Sequence, residues 1–383
     1  MDARSPVPLP SGKVAGLLAV LSGSRKVVIL PHDNPDPDSL ASAAALRFLV
    51  AHHLRKSATI GVRGIIGRSE NRRLAAALDV PLTPVERVFR DFKGYVVLVD
   101  TQPGRANNAL PAGLNPVAVI DHHPSWADYS AVPFVDLRED YGATATIVTA
   151  YLQEAETSIE ARIATGLFYG ISSETQHLGR EARPADIMAC QFLYPYVNKR
   201  LLGEIEHPRL SREYFRMVGE AVYNAVLCGD VVVTLLPAAP YPDAVAEAAD
   251  FLVRLDTAAW ALCLGLYEGF LYLSVRARDP HASAGLLLAS LLPSGAAGGH
   301  GMVAGGRIRV SRRRWKDEAC RLAREFVGAV GRSGEEVRPV VGERPRTAGK
   351  GRAVREDILD SLSARSERKG AADARAPNRA ERG

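Results

Sequence analysis

Cysteine is scarce in this chain: Cys190, Cys228, Cys263 and Cys320 are all it has in 383 residues. They are widely spaced and form no CxxC pair, which excludes a disulfide framework and a cysteine-rich zinc site. Their largely apolar neighbours suit reduced core thiols. Long apolar runs are lacking too. None reaches the roughly 18 uninterrupted residues of a membrane span, and the best candidate, Ala258 to Val275, is broken by Glu268. The apolar stretch Val14 to Leu21 stands behind a single lysine, less positive charge than a secretory signal carries. A cytoplasmic protein with no membrane partner is the expectation. The body also lacks an excess of either charge. From Gly342 onward there are eleven Lys or Arg against seven Asp or Glu, a net of +4 out of +5 for the whole chain. Basicity therefore describes a tail, of which weak contact with nucleic acid is expected, and not a DNA-binding face.

What is present is ordinary globular composition, with 47% hydrophobic and 24% charged residues. The length calls for two domains plus extensions. In the first half, β-branched runs (Lys26–Leu30, Thr59–Val62, Tyr95–Asp100, Val117–Asp121) alternate with helix-like stretches such as Leu40–Arg55 and Asn71–Leu78. That rhythm predicts βαβ units and a parallel sheet with helices on both faces. Thr157 and Glu160 predict a capping box for a helix running to about Gly170. In the second half, a strand-like run (Val231–Leu235), a helical one (Asp243–Leu255), β-prone Leu262–Val275 and an amphipathic Trp315–Val330 predict a smaller α/β domain. The predicted divisions are 1–196, a connector at 197–221, a second domain at 222–331, and a disordered basic tail at 332–383. No internal repeats are visible.

Four patches carry chemistry. Three begin where a predicted strand ends, the edge at which open parallel sheets collect ligand-binding residues. They are the segment from His32 to Asp38 (His-Asp-Asn-Pro-Asp-Pro-Asp), then Asp100, then Asp121-His122-His123. The fourth, Ser172-Ser173-Glu174-Thr175, follows the predicted helix. One such patch is readily a turn or a helix cap; three at matching strand ends are not readily coincidence. Several carboxylates brought together repel each other unless cations neutralise them. Oxygen-rich sites with a few histidines suit Mn²⁺ or Mg²⁺. The aromatics Phe192, Tyr194 and Tyr196, with Met188 and Met217, read as packing rather than a base-stacking strip. Arg312-Arg313-Arg314 reads as a solvated helix start.

In order, His32-x-x-x-Asp36-x-Asp38, Asp100 and Asp121-His122-His123 resemble motifs one to three of the DHH phosphoesterases. Glu174-Thr175 stands where that family has Asp-Thr. Further on, Ser274-Val275-Arg276 and Gly298-Gly299-His300-Gly301-Met302-Val303-Ala304-Gly305-Gly306 resemble the DHH-associated C-terminal domain. The resemblance covers about residues 15 to 310. It implies two divalent cations, Mn²⁺ ahead of Mg²⁺, with His32 and Asp36 on one, and Asp38, His122 and Glu174 on the other. Asp100 would bridge both, and His123 would face the substrate phosphate or support His122 while Asp121 orients the pair. It further implies that Arg276 and His300 bind substrate, that Gly299 and Gly305 shape their loop, and that the two domains form a cleft. The implied activity is hydrolysis of phosphodiester or phosphomonoester bonds in short oligonucleotides or nucleotide bisphosphates. Exopolyphosphatase activity, or nucleotide binding without catalysis through a decayed fourth motif, are the alternatives. The resemblance leaves room for a homodimer.

Overall fold

The computed structural model describes residues 12–105, 107–125, 127–179, 182–342 and 352–363, with the side chains of His300, Arg352 and Ala353 outside the description. Two compact units, Met1–Arg209 and Leu210–Gly383, divide the chain. The division falls within the segment predicted as a connector, but that segment is mostly helical. α8 (Lys199–Glu206) closes the first unit and α9 (Arg212–Asn224) opens the second.

The first unit is built on six strands: β1 (Val27–Leu30), β2 (Ala58–Val62), β3 (Leu82–Pro84), β4 (Tyr95–Val99), β5 (Ala118–Asp121) and β6 (Phe134–Leu137). Their order is β3-β2-β1-β4-β5-β6, and every neighbouring pair is parallel. β1 and β5 are buried at every residue, as a sheet covered on both faces requires. Val27, Ile29, Val97 and Val99 point into one core, and Val28, Leu30, Val96 and Leu98 into another. The cover is uneven. The first core holds α1 (Lys13–Ser22), α2 (Pro37–Leu54), α3 (Ser69–Leu78), α5 (Thr144–Glu154), α6 (Ala161–Glu174) and α7 (Pro184–Leu193). The second is closed by the short α4 (Val85–Val88) and by loop residues such as Phe92, Leu110, Leu114 and Tyr129.

The alanine-rich α2 is a strong helix former, and its small side chains admit close neighbours. α6 exploits this at Gly170, where a Cβ would stand 3.1 Å from the Pro37 carbonyl oxygen and 3.3 Å from the Asp38 Cα. A turn later α6 ends on Glu174, so this close approach sets that carboxylate beside the start of α2. The helix runs four residues past the predicted end near Gly170. Its predicted capping box is also absent. Glu160 is the N-cap without a side-chain bond, and the Thr157 hydroxyl pairs with His53 Nε2 at 2.9 Å instead. The distant histidine competes successfully for the hydroxyl.

The second unit carries β7 (Val226–Cys228), β8 (Val231–Leu236), β9 (Trp260–Tyr267), β10 (Phe270–Ala277), β11 (Ala297–His300), β12 (Val303–Arg309) and β13 (Val337–Pro339). They form one mixed sheet, ordered β11-β12-β10-β9-β8-β7-β13, in which β8 and β9 are the parallel pair. The β-prone run Leu262–Val275 is a hairpin. Glu268 and Gly269 both take positive φ (45° and 80°), the backbone of a tight two-residue turn. One face packs on α9 and α10 (Ala244–Leu252), and the other on α11 (Ala284–Leu291), α12 (Trp315–Ala329) and α13 (Arg352–Ser363). All four cysteines are buried and unpaired. No helix among the described residues is long and apolar enough to cross a membrane.

The expectation of disorder from residue 332 onward is overturned for two segments. β13 pairs with β7, and α13 buries Val354, Ile358 and Leu362 in the second unit's core. The three are spaced four apart, a helical stripe hidden in a composition otherwise poor in apolar residues. Ile358 has 0% exposure. We expect Ile358→Ala to cost about 2–5 kcal/mol, read as a lower denaturation midpoint, and truncation at residue 342 to cost at least as much. Unchanged stability on truncation would mean that α13 does not belong to the folded unit.

Candidate metal centre

From β1 the chain first builds outward through β2 and β3, then returns to lay β4 on the other side of β1. Doubly wound sheets bind ligands at such a reversal, beyond the carboxyl ends of the strands. The residues singled out after β1, β4 and β5 all fall at that edge.

Leaving β1, the chain passes His32, whose Nδ1 lies 2.9 Å from the Asp33 carbonyl oxygen. This turns Nε2 toward Asp36 (3.4 Å to Oδ2) and Asp100 (3.5 Å to Oδ2). Asp36 is the N-cap of α2 and accepts from the Ser39 N–H at 2.9 Å. The cap thus has a structural task as well. His32, Asp36 and Asp100 form one cluster of potential ligand atoms within 4.8 Å of one another.

Asp100 is the centre of the arrangement. It is 3% exposed and sits at φ 58°, a left-handed conformation uncommon outside glycine. Its N–H is held by the Ile120 carbonyl and its Oδ1 accepts from the Thr144 hydroxyl, both at 2.9 Å. It belongs also to a second cluster, with Asp121, His122 and His123. His122 Nε2 lies 3.7 Å from Asp100 Oδ1. That nitrogen is buried with no hydrogen-bond partner, while its Nδ1 faces the Tyr141 carbonyl oxygen at 3.3 Å. An orphaned buried nitrogen facing a buried carboxylate fits a cation ligand.

Asp121 accepts at one oxygen from the backbone N–H groups of His122 (2.8 Å) and His123 (3.2 Å). The same oxygen holds His123 Nδ1 at 2.8 Å. Its other oxygen accepts from Gln102 Nε2 at 2.8 Å. Gln102 is 1% exposed and also reaches the carbonyls of His123 and Pro124. The sequence reading passed over Gln102 and Thr144. A polar pair directly after the motif aspartate, Thr101-Gln102, was the available signal for the first; Thr144 had none.

Asp38 and Glu174 fall outside both clusters. The Asp38 oxygens accept the Thr144 and Ala145 N–H groups at 2.8 and 2.7 Å, so this carboxylate caps α5. Burial, then the neighbouring charges of Asp100 and Glu174, push Asp38 well above the usual carboxylate range. Glu174 is raised to about 8 by burial and by the charges of Asp36 and Asp100. Asp100 is raised by burial and by Asp36. Burial alone would lower His32, yet Asp36 and Asp100 lift it to about 10; in the same way Asp121 and Asp100 lift His123 to about 9. Burial would raise Asp36 and Asp121 too, yet His32 and His123 hold them below the usual carboxylate range; the three raised carboxyls, Asp38, Asp100 and Glu174, mark a site short of positive charge.

Arg276, Gly299 and Gly305 lie on β10, β11 and β12 of the second unit. Arg276 is paired with Asp250 at 2.5 Å and with the Ser274 hydroxyl at 2.8 Å. Gly299 takes φ 151°, and Gly305 stands opposite Ser274 in the ladder. His300 ends β11, its side chain outside the described residues.

Residues 26–171 match the DHH family, N-terminal domain. An uncharacterized protein of Methanocaldococcus jannaschii is 33% identical over 284 residues, 74% of this chain and 58% of its own length. A probable manganese-dependent inorganic pyrophosphatase of Enterococcus faecalis is 26% identical over 153 residues, 39% of this chain and 48% of its own. The chain thus spans about half the length of the curated relatives it matches. A solved exopolyphosphatase-related protein from Bacteroides fragilis shares the fold, with a TM-score of 0.64 at 14% identity over 83% of this chain and 96% of that one. The family domain spans the strands that deliver His32, Asp36, Asp100 and the Asp121-His122-His123 triplet to one sheet edge, and residues 26–171 of this chain form a DHH-family N-terminal domain.

Proposed function

We propose that this chain is a divalent-cation-dependent phosphoesterase acting on short oligonucleotides or nucleotide bisphosphates. The observation that carries the reading is Asp100, a buried carboxylate common to both ligand clusters at the sheet's switch point. In this reading His32, Asp36 and Asp100 hold one cation, and Asp100 and His122, joined by Asp38 and Glu174, hold the other. Bound divalent ions supply Lewis acidity and a water acidic enough to ionise near neutral pH.

The chain's own residues do the remaining work. Thr144 fixes the rotamer of Asp100 through its hydroxyl. Asp121, itself held by Gln102, takes the Nδ1 side of His123 and leaves Nε2 for a phosphate oxygen. His123 is suited to this, its side chain being 40% exposed where that of His122 is 13% exposed. Arg276 and the Gly299–Gly305 segment, together with His300, are the proposed phosphate-binding groups of the second unit. The Enterococcus faecalis relative is named for manganese, which supports Mn²⁺ as the preferred ion. The same name favours a second reading, hydrolysis of a phosphoanhydride. A screen of the Mn²⁺-loaded protein against short RNAs, adenosine 3′,5′-bisphosphate, cyclic dinucleotides and polyphosphate separates the two.

Three outcomes follow. Asp100→Asn abolishes hydrolysis and lowers bound metal while circular dichroism and melting stay near wild type; a variant that retains activity removes the shared-carboxylate mechanism. Gln102→Leu lowers activity or metal affinity by about 10–100-fold, the usual effect of losing a group that orients a ligand, and unaltered kinetics would make Gln102 a packing residue. Glu174→Asp keeps substantial activity with a shifted Mn²⁺/Mg²⁺ preference, Mg²⁺ being the stricter about octahedral geometry, whereas Glu174→Gln loses most of it. A gain of activity in Glu174→Asp over a nearly inactive wild type would favour the decayed-motif reading.

A further inference from the structure

β10 and β12 pair with Phe270 opposite Arg309, Tyr272 opposite Arg307, Ser274 opposite Gly305 and Arg276 opposite Val303. Residues opposite each other share a face, so these eight form one strip. The reverse side of both strands, with Leu271, Leu273, Val275 and Ala304, is core. Along the strip Gly305, Arg307 and Arg309 are exposed, and so are Arg312, Arg313 and Arg314, which follow directly. None of these five arginines has an ion pair among the described residues. Glu318 is already held by Arg321 at 2.6 Å and Asp250 by Arg276 at 2.5 Å, leaving Glu268 in the hairpin turn and Asp317 in the first turn of α12 as exposed acids nearby in the chain. Five cations in eight residues outnumber these acids, repel one another and suit an anion with several charges.

Flat rings lie among these cations. The Arg307 guanidinium sits 5.5 Å from the centroid of Phe270, and Phe270 lies 6.4 Å from Tyr272. Aromatic and guanidinium planes beside phosphate-binding charge are the equipment of a single-strand binding surface. The glycines agree. Gly299 and Gly306 are demanded by the fold, since a Cβ would come within 2.3 Å of the Val303 carbonyl oxygen and 2.6 Å of Leu292 Cδ1 respectively. Gly298 and Gly305, paired across β11 and β12, are not: a Cβ would meet nothing within 4 Å at the first and nothing closer than 3.8 Å at the second. Bare backbone without a packing reason leaves room for a ligand to approach closely. At the outer edge of β12 a cavity of about 420 Å³, lined by Arg307, Ile308, Arg309, Leu292, Arg321 and the Arg321-paired Glu318 among others, is of small-ligand size. The exposed part of the strip, Gly305 to Arg309, runs about 14 Å at roughly 3.4 Å per residue, and beyond it Ser274 is buried and Arg276 is held by Asp250.

We propose that this face binds a single-stranded oligonucleotide of several residues, with phosphates on Arg307 and Arg309 and a base against the Phe270–Arg307 pair. The proposal rests on the phosphoesterase reading and narrows its substrate from nucleotide bisphosphates to oligonucleotides. The experiment compares a dinucleotide, an eight-residue single-stranded RNA and polyphosphate. Binding is measured on the full chain with Asp100→Asn, to stop turnover, and hydrolysis on the otherwise native Mn²⁺-loaded chain. The octamer is expected to bind at least tenfold more tightly than the dinucleotide. Arg307→Ala with Arg309→Ala, both exposed and safe for folding, should erase that advantage and reduce the slope of log K against log salt by about 1.4, roughly 0.7 per lost phosphate contact. Dinucleotide hydrolysis should stay within twofold. Phe270→Ala, checked by its melting curve, should weaken the octamer at least fivefold and leave polyphosphate untouched. Equal affinity for the two RNAs, or an octamer indifferent to the arginine pair, would overturn the proposal. So would polyphosphate binding that depends on the arginines without any RNA preference. Hydrolysis of the dinucleotide with no gain from length sinks this proposal alone; failure to hydrolyse either RNA sinks the phosphoesterase reading with it.

Discussion

Negative charge gathered in a buried place is the constraint around which the first unit is arranged. Asp36, Asp38, Asp100 and Glu174 act on one another electrostatically at the carboxyl edge of the sheet. A fold tolerates this only by offering compensating charge and dipoles. Part of the compensation is visible. The N-termini of α2 and α5 both end at this point, Asp36 capping the first and Asp38 accepting two N–H groups of the second. Helix N-termini carry partial positive charge and favour such anions. Glu174 is placed oppositely, at the carboxyl end of α6, where the helix itself favours a cation. A centre so built is short of positive charge, and a divalent ion is the economical way to supply it.

The same constraint explains the otherwise awkward backbone nearby. Asp100 is held at positive φ by bonds to Ile120 and Thr144, and Gln176, His177 and Leu178 take positive φ in succession just beyond Glu174. Strained conformations persist where surrounding bonds over-determine them, and they gather at functional sites. Gly170 belongs to the same design: a Cβ there would press on the start of α2 and push the two helices apart by a few tenths of an ångström.

The second unit solves a different problem. Its mixed sheet has helices on both sides, yet β12 keeps one side open. There the side chains alternate between core residues and a row of glycine and arginine. The open row is set by the period of two along the strand, so it could not slip to the other side without burying arginines.

The chemistry of the site was legible in the amino-acid order because the candidate ligands follow strands that announce themselves. Val27–Leu30, Tyr95–Val99 and Ala118–Asp121 are short β-branched runs, and an acid or histidine stands at the end of each or within two residues of it. Local pattern therefore sufficed to place His32, Asp36, Asp100 and His122 on one sheet edge and to predict a parallel sheet. It did not reach features whose partners lie far along the chain. Thr144 is 44 residues from the aspartate it holds, and Thr157 bonds a histidine 104 residues away instead of capping its own helix. β6 and α13 were missed because a strand interrupted by the buried Asp136 and a three-residue apolar stripe stand out only against the surface they cover. Sequence alone determined the ligand chemistry and the alternation of elements, both written in neighbouring residues. Tertiary structure decided the strand order that makes β1 and β4 neighbours, and with it which carboxylates stand together, because that pairing depends on distances no local pattern encodes.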